Sequence, residues 1–288
     1  MIESINYQLR KKHSESIEYY AHYYITYAFF ICFFCRAELN SVYTVSTVYQ
    51  GNIGKSNVTM YLTISNGSVY GDYIYNKYKK IILLNGSAKE GVIDLKEGNG
   101  MATMRLKTIS NGYQGEWCDK KCVPVMLVTK NSFRYGGVEK VDISESGEGN
   151  YKVTLFFKER TEQINITDSI DEPSLEFTDL NGDGFYDLIV RTDHRVSNGS
   201  QVVYLSTSDM FKKNQQLTKE NGSLVFNPFT RLAVYNSSDE STHEYKKVIY
   251  SLDGANVKRI DSLSYDFKSN KGFSYKQGDI TKNSFESY

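Results

Sequence analysis

Asn-Gly pairs recur along this chain between runs of alternating apolar and polar residues, at Asn66-Gly67, Asn85-Gly86, Asn111-Gly112, Asn198-Gly199 and Asn221-Gly222. Asn-Gly readily supplies the two left-handed residues of a type I′ turn, whose twist matches that of paired antiparallel strands. Val58, Met60, Leu62 and Ile64 alternate with polar or amphipathic neighbours from Asn57 to Ser65, which predicts a half-buried strand. The turn at Asn66-Gly67 then returns a Tyr-rich strand from Val69 to Tyr78, and the same punctuation downstream implies hairpin after hairpin. Composition agrees, because 24 Tyr against one Trp and three Pro, with abundant Val, Ile and Thr, suits strands rather than helices. Strands are expected near 43–50, 57–65, 69–78, 79–85, 91–96, 101–109, 112–118 and 122–129. A second series is expected near 135–143, 150–159, 162–167, 175–179, 186–192, 201–206, 223–228, 230–235, 246–252 and 255–261.

The fold class is therefore all-β. An N-terminal small antiparallel barrel or sandwich over 38–130 precedes a β-propeller-like or sandwich domain over 131–267. No repeat of fixed period is present to select the propeller. Ser208 to Lys219 reads as a single helical turn capped by Ser208 or Asp209. The Ser-, Lys- and Asn-rich stretch 268–288 reads as a flexible tail.

One segment carries metal chemistry. In Asp179-Leu-Asn-Gly-Asp-Gly-Phe-Tyr-Asp-Leu188, oxygen side chains occur at alternate positions around a glycine turn. Asp179, Asn181, Asp183, the Phe185 carbonyl and Asp187 take the first, third, fifth, seventh and ninth places of a Ca²⁺ loop, with Gly184 at the sharp sixth. Hard oxygen donors, with no His or Cys in the loop, select calcium over zinc. The twelfth place, where a helix-loop-helix sensor carries a bidentate Glu, is Val190, and the flanks read as strands. The loop thus joins two strands and braces them structurally, together with the polar segment 193–201 that follows. The alternative is an acidic hairpin whose side chains only bond their own backbone.

The first 37 residues read as a targeting segment rather than fold. Arg10-Lys11-Lys12 precede an apolar run from Tyr23 to Cys35, and Cys35-Arg36-Ala37 offers small residues where a signal peptidase cuts. A Sec-type signal peptide cleaved after Ala37 is expected, with a membrane anchor as the alternative, so the protein is placed in the periplasm or outside the cell. Cleavage removes four of 34 basic and three of 34 acidic residues, leaving 30 and 31. A near-neutral chain has no electrostatic footprint for nucleic acid. The remaining cysteines, Cys118 and Cys122, read as a disulfide pinning a turn between two strands, with half a zinc site as the alternative.

Signatures of common enzymes are missing from the sequence: no Gly-x-Ser-x-Gly elbow, His-Glu-x-x-His, phosphate-binding loop or dinucleotide fingerprint occurs. The expectation is a binding protein rather than an enzyme. A glycosidase-type carboxylate pair outside the calcium loop is the enzymatic alternative.

The calcium loop, followed by Tyr204-Leu205, Phe211-Lys-Lys-Asn-Gln-Gln-Leu217 and Phe226-Asn-Pro-Phe-Thr-Arg-Leu232, resembles a family of exported bacterial calcium-binding proteins. These are similar to periplasmic I-type lysozyme inhibitors and to immunity proteins against secreted peptidoglycan hydrolases. The loop also resembles those of FG-GAP repeats. The resemblance covers roughly residues 150 to 260 and implies a protein partner, a lysozyme-like peptidoglycan hydrolase. In that class a short loop carrying Ser, Gly and Tyr plugs the hydrolase cleft. Its nearest match here is Ser197-Asn198-Gly199-Ser200-Gln-Val-Val-Tyr204, although the spacing from Gly to Tyr is longer than in the family motif. Ser197, Asn198 and Ser200 would then meet catalytic carboxylates, and Tyr204 would pack at the base. Gly51 to Gly54, Val69 to Tyr75, Ile81 to Gly86 and Gly115 to Trp117 resemble a β-rich module found ahead of such calcium domains. A calcium-stabilised adhesion or envelope-interaction module is the competing reading.

Overall fold

The computed structural model describes residues 43–98, 100–195, 198–220, 222–254 and 256–287. The expected signal peptide over 1–37 and Ser197 lie outside the described residues.

Eight strands, β1 (Tyr43–Ile53), β2 (Ser56–Ser65), β3 (Ser68–Tyr75), β4 (Ile81–Lys89), β5 (Val92–Glu97), β6 (Thr103–Ile109), β7 (Gly112–Cys118) and β8 (Cys122–Val128), follow one another as antiparallel neighbours. β8 then pairs back onto β1, from Gln50 opposite Val128 to Ile53 opposite Val125. The meander therefore closes into a barrel, which pairs strand edges that an open sheet would leave bare. The alternating residues Val58, Met60 and Leu62 of β2, Ile93 and Leu95 of β5, and Met104 and Leu106 of β6 fill its interior.

The Asn-Gly pairs divide by context. Asn66 and Gly67 take φ of +47° and +76° and join β2 to β3 as expected. At β6–β7 the turn is Ser110-Asn111, because Gly112 already pairs with Ile109. Asn85-Gly86 is not a turn at all but lies inside β4. A Cβ on Gly86 would sit 1.9 Å from the Asp94 carbonyl oxygen, so this glycine permits a close strand approach as the barrel coils. Gly222 leads into a strand of another sheet rather than closing a hairpin.

The barrel sheet does not stop at β1. Beyond the three-stranded sheet of β9 (Val138–Gly147), β10 (Asn150–Phe157) and β11 (Thr161–Ile166), β12 (Ser174–Thr178) joins β1 in parallel, from Tyr43 opposite Leu175 to Ser46 opposite Thr178. β13 (Asp187–Asp193), β14 (Ser200–Ser206) and β15 (Phe211–Lys213) extend the same sheet outward. The expected boundary between 130 and 131 is thus crossed by continuous hydrogen bonding.

The outer strands are buried on both faces. Leu188, Val190 and Tyr204 pack with Val153, Leu155 and Phe177 on one side. Ile189 and Val203 face Leu224, Ala233 and Tyr235 on the other. The second side is covered by a six-stranded sheet, β16 (Ser223–Asn227), β17 (Leu232–Asp239), β18 (Glu244–Asp253), β19 (Asn256–Asp266), β20 (Lys271–Ser274) and β21 (Gly278–Ile280). This is sandwich packing, with β13 in the middle layer.

Two expectations are corrected. The helical turn α1 spans only Gln215–Thr218, and Asn214, not Ser208 or Asp209, caps it by accepting the Leu217 N–H at 3.0 Å. Phe211 is buried, which draws the preceding segment into β15. The stretch 268–288 is no frayed tail, since it forms β20, β21 and the helix α2 (Lys282–Glu286). Its polar composition hides one anchor. Phe285 is buried against Val234, Ile249, Leu263 and Tyr265, while Ser274 donates to Asp261 at 2.7 Å. Truncation of a buried Phe to Ala costs about 3 kcal/mol or more. Phe285→Ala is expected to lower the urea midpoint accordingly, and an unchanged midpoint would mean that α2 does not hold the last sheet.

Candidate functional site

One edge of β1 pairs with β2, and the other has two partners. β8 takes Gln50 to Ile53 and β12 takes Tyr43 to Ser46, which leaves a seam at Thr47 to Tyr49. Polar side chains close it. The Val48 N–H donates to Asn131 Oδ1 at 3.2 Å, and Asn131 Nδ2 donates to Asp179 Oδ2 at 2.7 Å. Thr47 Oγ1 and the Tyr186 hydroxyl lie 2.7 Å apart. The Asp179 loop, which joins β12 to β13, therefore sits at the join between the barrel and the outer strands.

Within the loop each acidic or amide side chain accepts backbone N–H groups. Asp179 accepts from Gly182 at 2.6 Å and Gly184 at 3.1 Å, Asn181 from Asp183 at 3.0 Å, and Asp183 from Phe185 at 2.8 Å. Asp187 is fully buried and clamps three N–H groups, of Leu180 at 2.9 Å, Asn181 at 3.4 Å and Ser206 at 2.7 Å. Gly254 donates to the Asn181 carbonyl at 2.8 Å, tying the β18–β19 hairpin to the loop. Arg134 reaches Asp183 at 3.3 Å and stacks on Phe185. The Arg231 guanidinium lies so close over Gly182 that a Cβ there would meet Nη1 at 1.5 Å, and φ of +77° also demands glycine.

The electrostatics of this loop are those of buried acid. Burial raises the Asp179 carboxyl above its usual range, opposed by the Gly182 and Gly184 N–H groups and by Arg231. Burial pushes Asp187 up to about 8 despite its N–H donors. The donor set fits a hard divalent cation in type and order: carboxylate, amide, carboxylate, carbonyl, carboxylate around two left-handed glycines. The N–H bonds hold these groups in a turn, and carboxylate oxygens keep lone pairs beyond those bonds. The three carboxylates are not gathered within 4.8 Å of one another, because each is turned onto its own N–H partners. The Cys118, Cys122 and Glu116 group is gathered so closely, but its sulfurs form the expected disulfide between directly opposed residues of β7 and β8. That disulfide excludes the half-zinc alternative.

A second site lies on the outer face of the barrel, where sequence patterns give no signal. Strand register lines up Thr178, Ser46, Thr63, Tyr70 and Asn85 across β12, β1, β2, β3 and β4. The next row runs Tyr61, Asp72 and Leu83. Thr63, Tyr70, Asn85, Tyr61, Asp72 and Leu83 line a cleft of about 840 Å³ together with Glu176, Arg191 and, from β16, Val225 and Phe226. Glu176 pairs with Arg191 at 2.9 Å and accepts from Ser46 at 3.3 Å. Burial pushes Asp72 up to about 6.

No family model matches this chain, and no curated protein matches it.

Of the segment expected as a plug, Asn198 is exposed and Ser200 half-buried. Asn198 Oδ1 accepts the Ser238 N–H at 3.0 Å, and Ser200 Oγ lies 2.7 Å from Thr192 Oγ1. Gly199 donates to Ser223 Oγ at 3.2 Å, and that hydroxyl donates to the Arg195 carbonyl at 2.6 Å. Tyr204 is a core residue whose phenol burial pushes up to about 12. Strand alternation puts its ring inside, so it is not offered to a partner. The Asp179 loop meets the Tyr204 end of this segment, since Leu188 pairs with Tyr204 and Asp187 accepts the Ser206 N–H, whereas Asp193 lies at the other end of β13. What the loop meets directly is the seam, β14 and the β18–β19 hairpin. Asn131, Asp72 and Arg231 are the residues of these sites that motif reading missed. Arg231 and Asp72 fall within segments quoted for a resemblance, without a role of their own, and Asn131 falls within none.

Asp72 generates a prediction with a definite sign. Its folded pKa lies above the ordinary carboxylate value, so ionising it opposes folding, and the penalty is complete above pH 6 and gone once both states are protonated. Asp72→Asn is expected to raise the melting temperature at about pH 7.5 and to leave it nearly unchanged at about pH 3.5. A loss of stability at the higher pH would refute an uncompensated charge.

Proposed function

We propose that this protein is exported, carries a structural calcium ion at the Asp179 loop and acts by binding another protein. The observation that carries this reading is the position of the loop. An acidic loop with alternating oxygen donors stands where β1 is passed between β8 and β12, and its two most buried carboxylates touch both sides. Asp179, Asn181, Asp183, the Phe185 carbonyl and Asp187 would hold the ion. A bound divalent cation would offset the mutual repulsion of three carboxylates and the cost of burying two of them. The Cys118–Cys122 disulfide supports an oxidising compartment, in keeping with the signal-peptide reading of residues 1–37.

A peptidoglycan hydrolase is the partner implied by the resemblance to exported lysozyme inhibitors and immunity proteins. Such a role needs non-covalent blockade and no turnover. With Tyr204 in the core, contact with a hydrolase would fall to Asn198 and Ser200 and to exposed residues elsewhere rather than to the Tyr204 ring.

Two measurements test these parts separately. Calcium should raise the melting temperature of the protein, and Asp183→Ala should abolish the rise, since ligand-linked stabilisation requires binding to the folded state. Identical melting with calcium and with chelator would eliminate the structural ion. For the partner, saturating protein is expected to suppress lysis by a secreted peptidoglycan hydrolase encoded beside it. Undiminished lysis would rule out inhibition of that enzyme.

A further inference from the structure

The cleft on the outer barrel face contains an acceptor that the fold leaves unused. Asp72 Oδ1 is buried and has no hydrogen-bond partner among the described residues. Burying an acceptor unpaired is unfavourable, and a carboxylate oxygen more so. The neighbouring charges are already matched. Arg191 is the one Lys or Arg among the described residues lining the cleft, and it is committed to Glu176 at 2.9 Å. Asp72, Glu176 and Arg191 leave a formal charge of minus one facing the opening.

The walls restrict what would supply the missing positive charge. Tyr61 stands directly opposite Asp72 on β2, and Leu83 stands opposite it on β4. Tyr70, Leu83 and Val225 are 49, 61 and 55% exposed, so an apolar rim surrounds a single acidic point. An aliphatic stem ending in an ammonium group matches this arrangement, and tyrosine faces attract a cation as well. The apolar rim suits the long aliphatic stem of lysine, which carries its charge as a compact ammonium at the tip. The volume and the exposed rim exceed what one side chain fills, which favours a segment of polypeptide over a small amine.

We propose that this cleft binds an extended peptide segment presenting a lysine to Asp72, with apolar neighbours of that lysine covering Tyr70, Leu83 and Val225. The site is independent of the Asp179 loop and of the identity of any hydrolase partner.

Calorimetric titration of the full chain with the capped peptide Ala-Leu-Lys-Leu-Ala, and with norleucine in place of Lys, tests the assignment. The lysine peptide is expected to bind about tenfold more tightly, as a desolvated charge pair allows. Asp72→Asn should erase that preference, whereas Tyr70→Ala, at an exposed position, should weaken both peptides by about threefold or more through lost rim contact. Equal affinity for the two peptides, or a lysine preference that survives Asp72→Asn, would overturn the proposal. So would binding of a neutral chito-oligosaccharide in the absence of peptide binding, which would assign the cleft to glycan instead.

Discussion

Everything outside the barrel depends on how β1 shares its edge. A strand has two edges, and β2 occupies one of them over Val45 to Ile53. Barrel closure asks β8 to fill the other, but β8 reaches back only as far as Gln50. The remaining backbone groups must be satisfied elsewhere, since unpaired buried N–H and C=O groups are costly. β12 satisfies them in parallel register and brings β13, β14 and β15 with it. Unlike hairpin pairing, this pairing joins segments more than a hundred residues apart in the sequence.

The seam between β8 and β12 explains the concentration of polar groups there. Two strands diverging from one edge leave a wedge that no third strand can enter. Asn131 fits because its amide both accepts from Val48 and donates to Asp179. Asp187 does similar work on the far side by joining Leu180, Asn181 and Ser206 N–H groups. Removing either partner of such buried bonds leaves a desolvated group behind, so the network behaves as a unit. A charged loop is a surprising filler for a buried wedge. The excess negative charge is the physical reason to look for a cation at that point.

The same strand sharing creates the outer cleft. A barrel alone would turn its convex face to solvent. Because the sheet continues past β1 into β12 and β13, and β16 crosses above, the outward residues of β2, β3 and β4 acquire a wall. Asp72 and Tyr70 are surface-type residues by their strand alternation. They become part of a recess only through that continuation.

Local chemistry was enough to read much of this protein from its residues. Period-two alternation placed β2, Asn66-Gly67 placed a hairpin, and the spacing of Cys118 and Cys122 matched a cross-strand disulfide. Each involves residues within one hairpin, where backbone geometry follows from neighbours alone. The pattern from Asp179 to Asp187 likewise marked a turn rich in oxygen donors. Asn85-Gly86 misled because a glycine that permits close strand approach looks the same in sequence as one that turns a chain. The tail misled because a single aromatic, Phe285, decides its docking.

Tertiary structure alone decided the closure of the barrel, the passing of β1 to β12, the burial of Tyr204 and Asp187, and the meeting of Asp72 with Tyr61 and Leu83. The division has one physical reason. Hydrogen bonds within a hairpin are fixed by chain connectivity over a few residues, whereas the partner of a strand edge is chosen by which distant backbone can satisfy it. A chain that reads clearly as strands can therefore leave open which faces become core and which become a site.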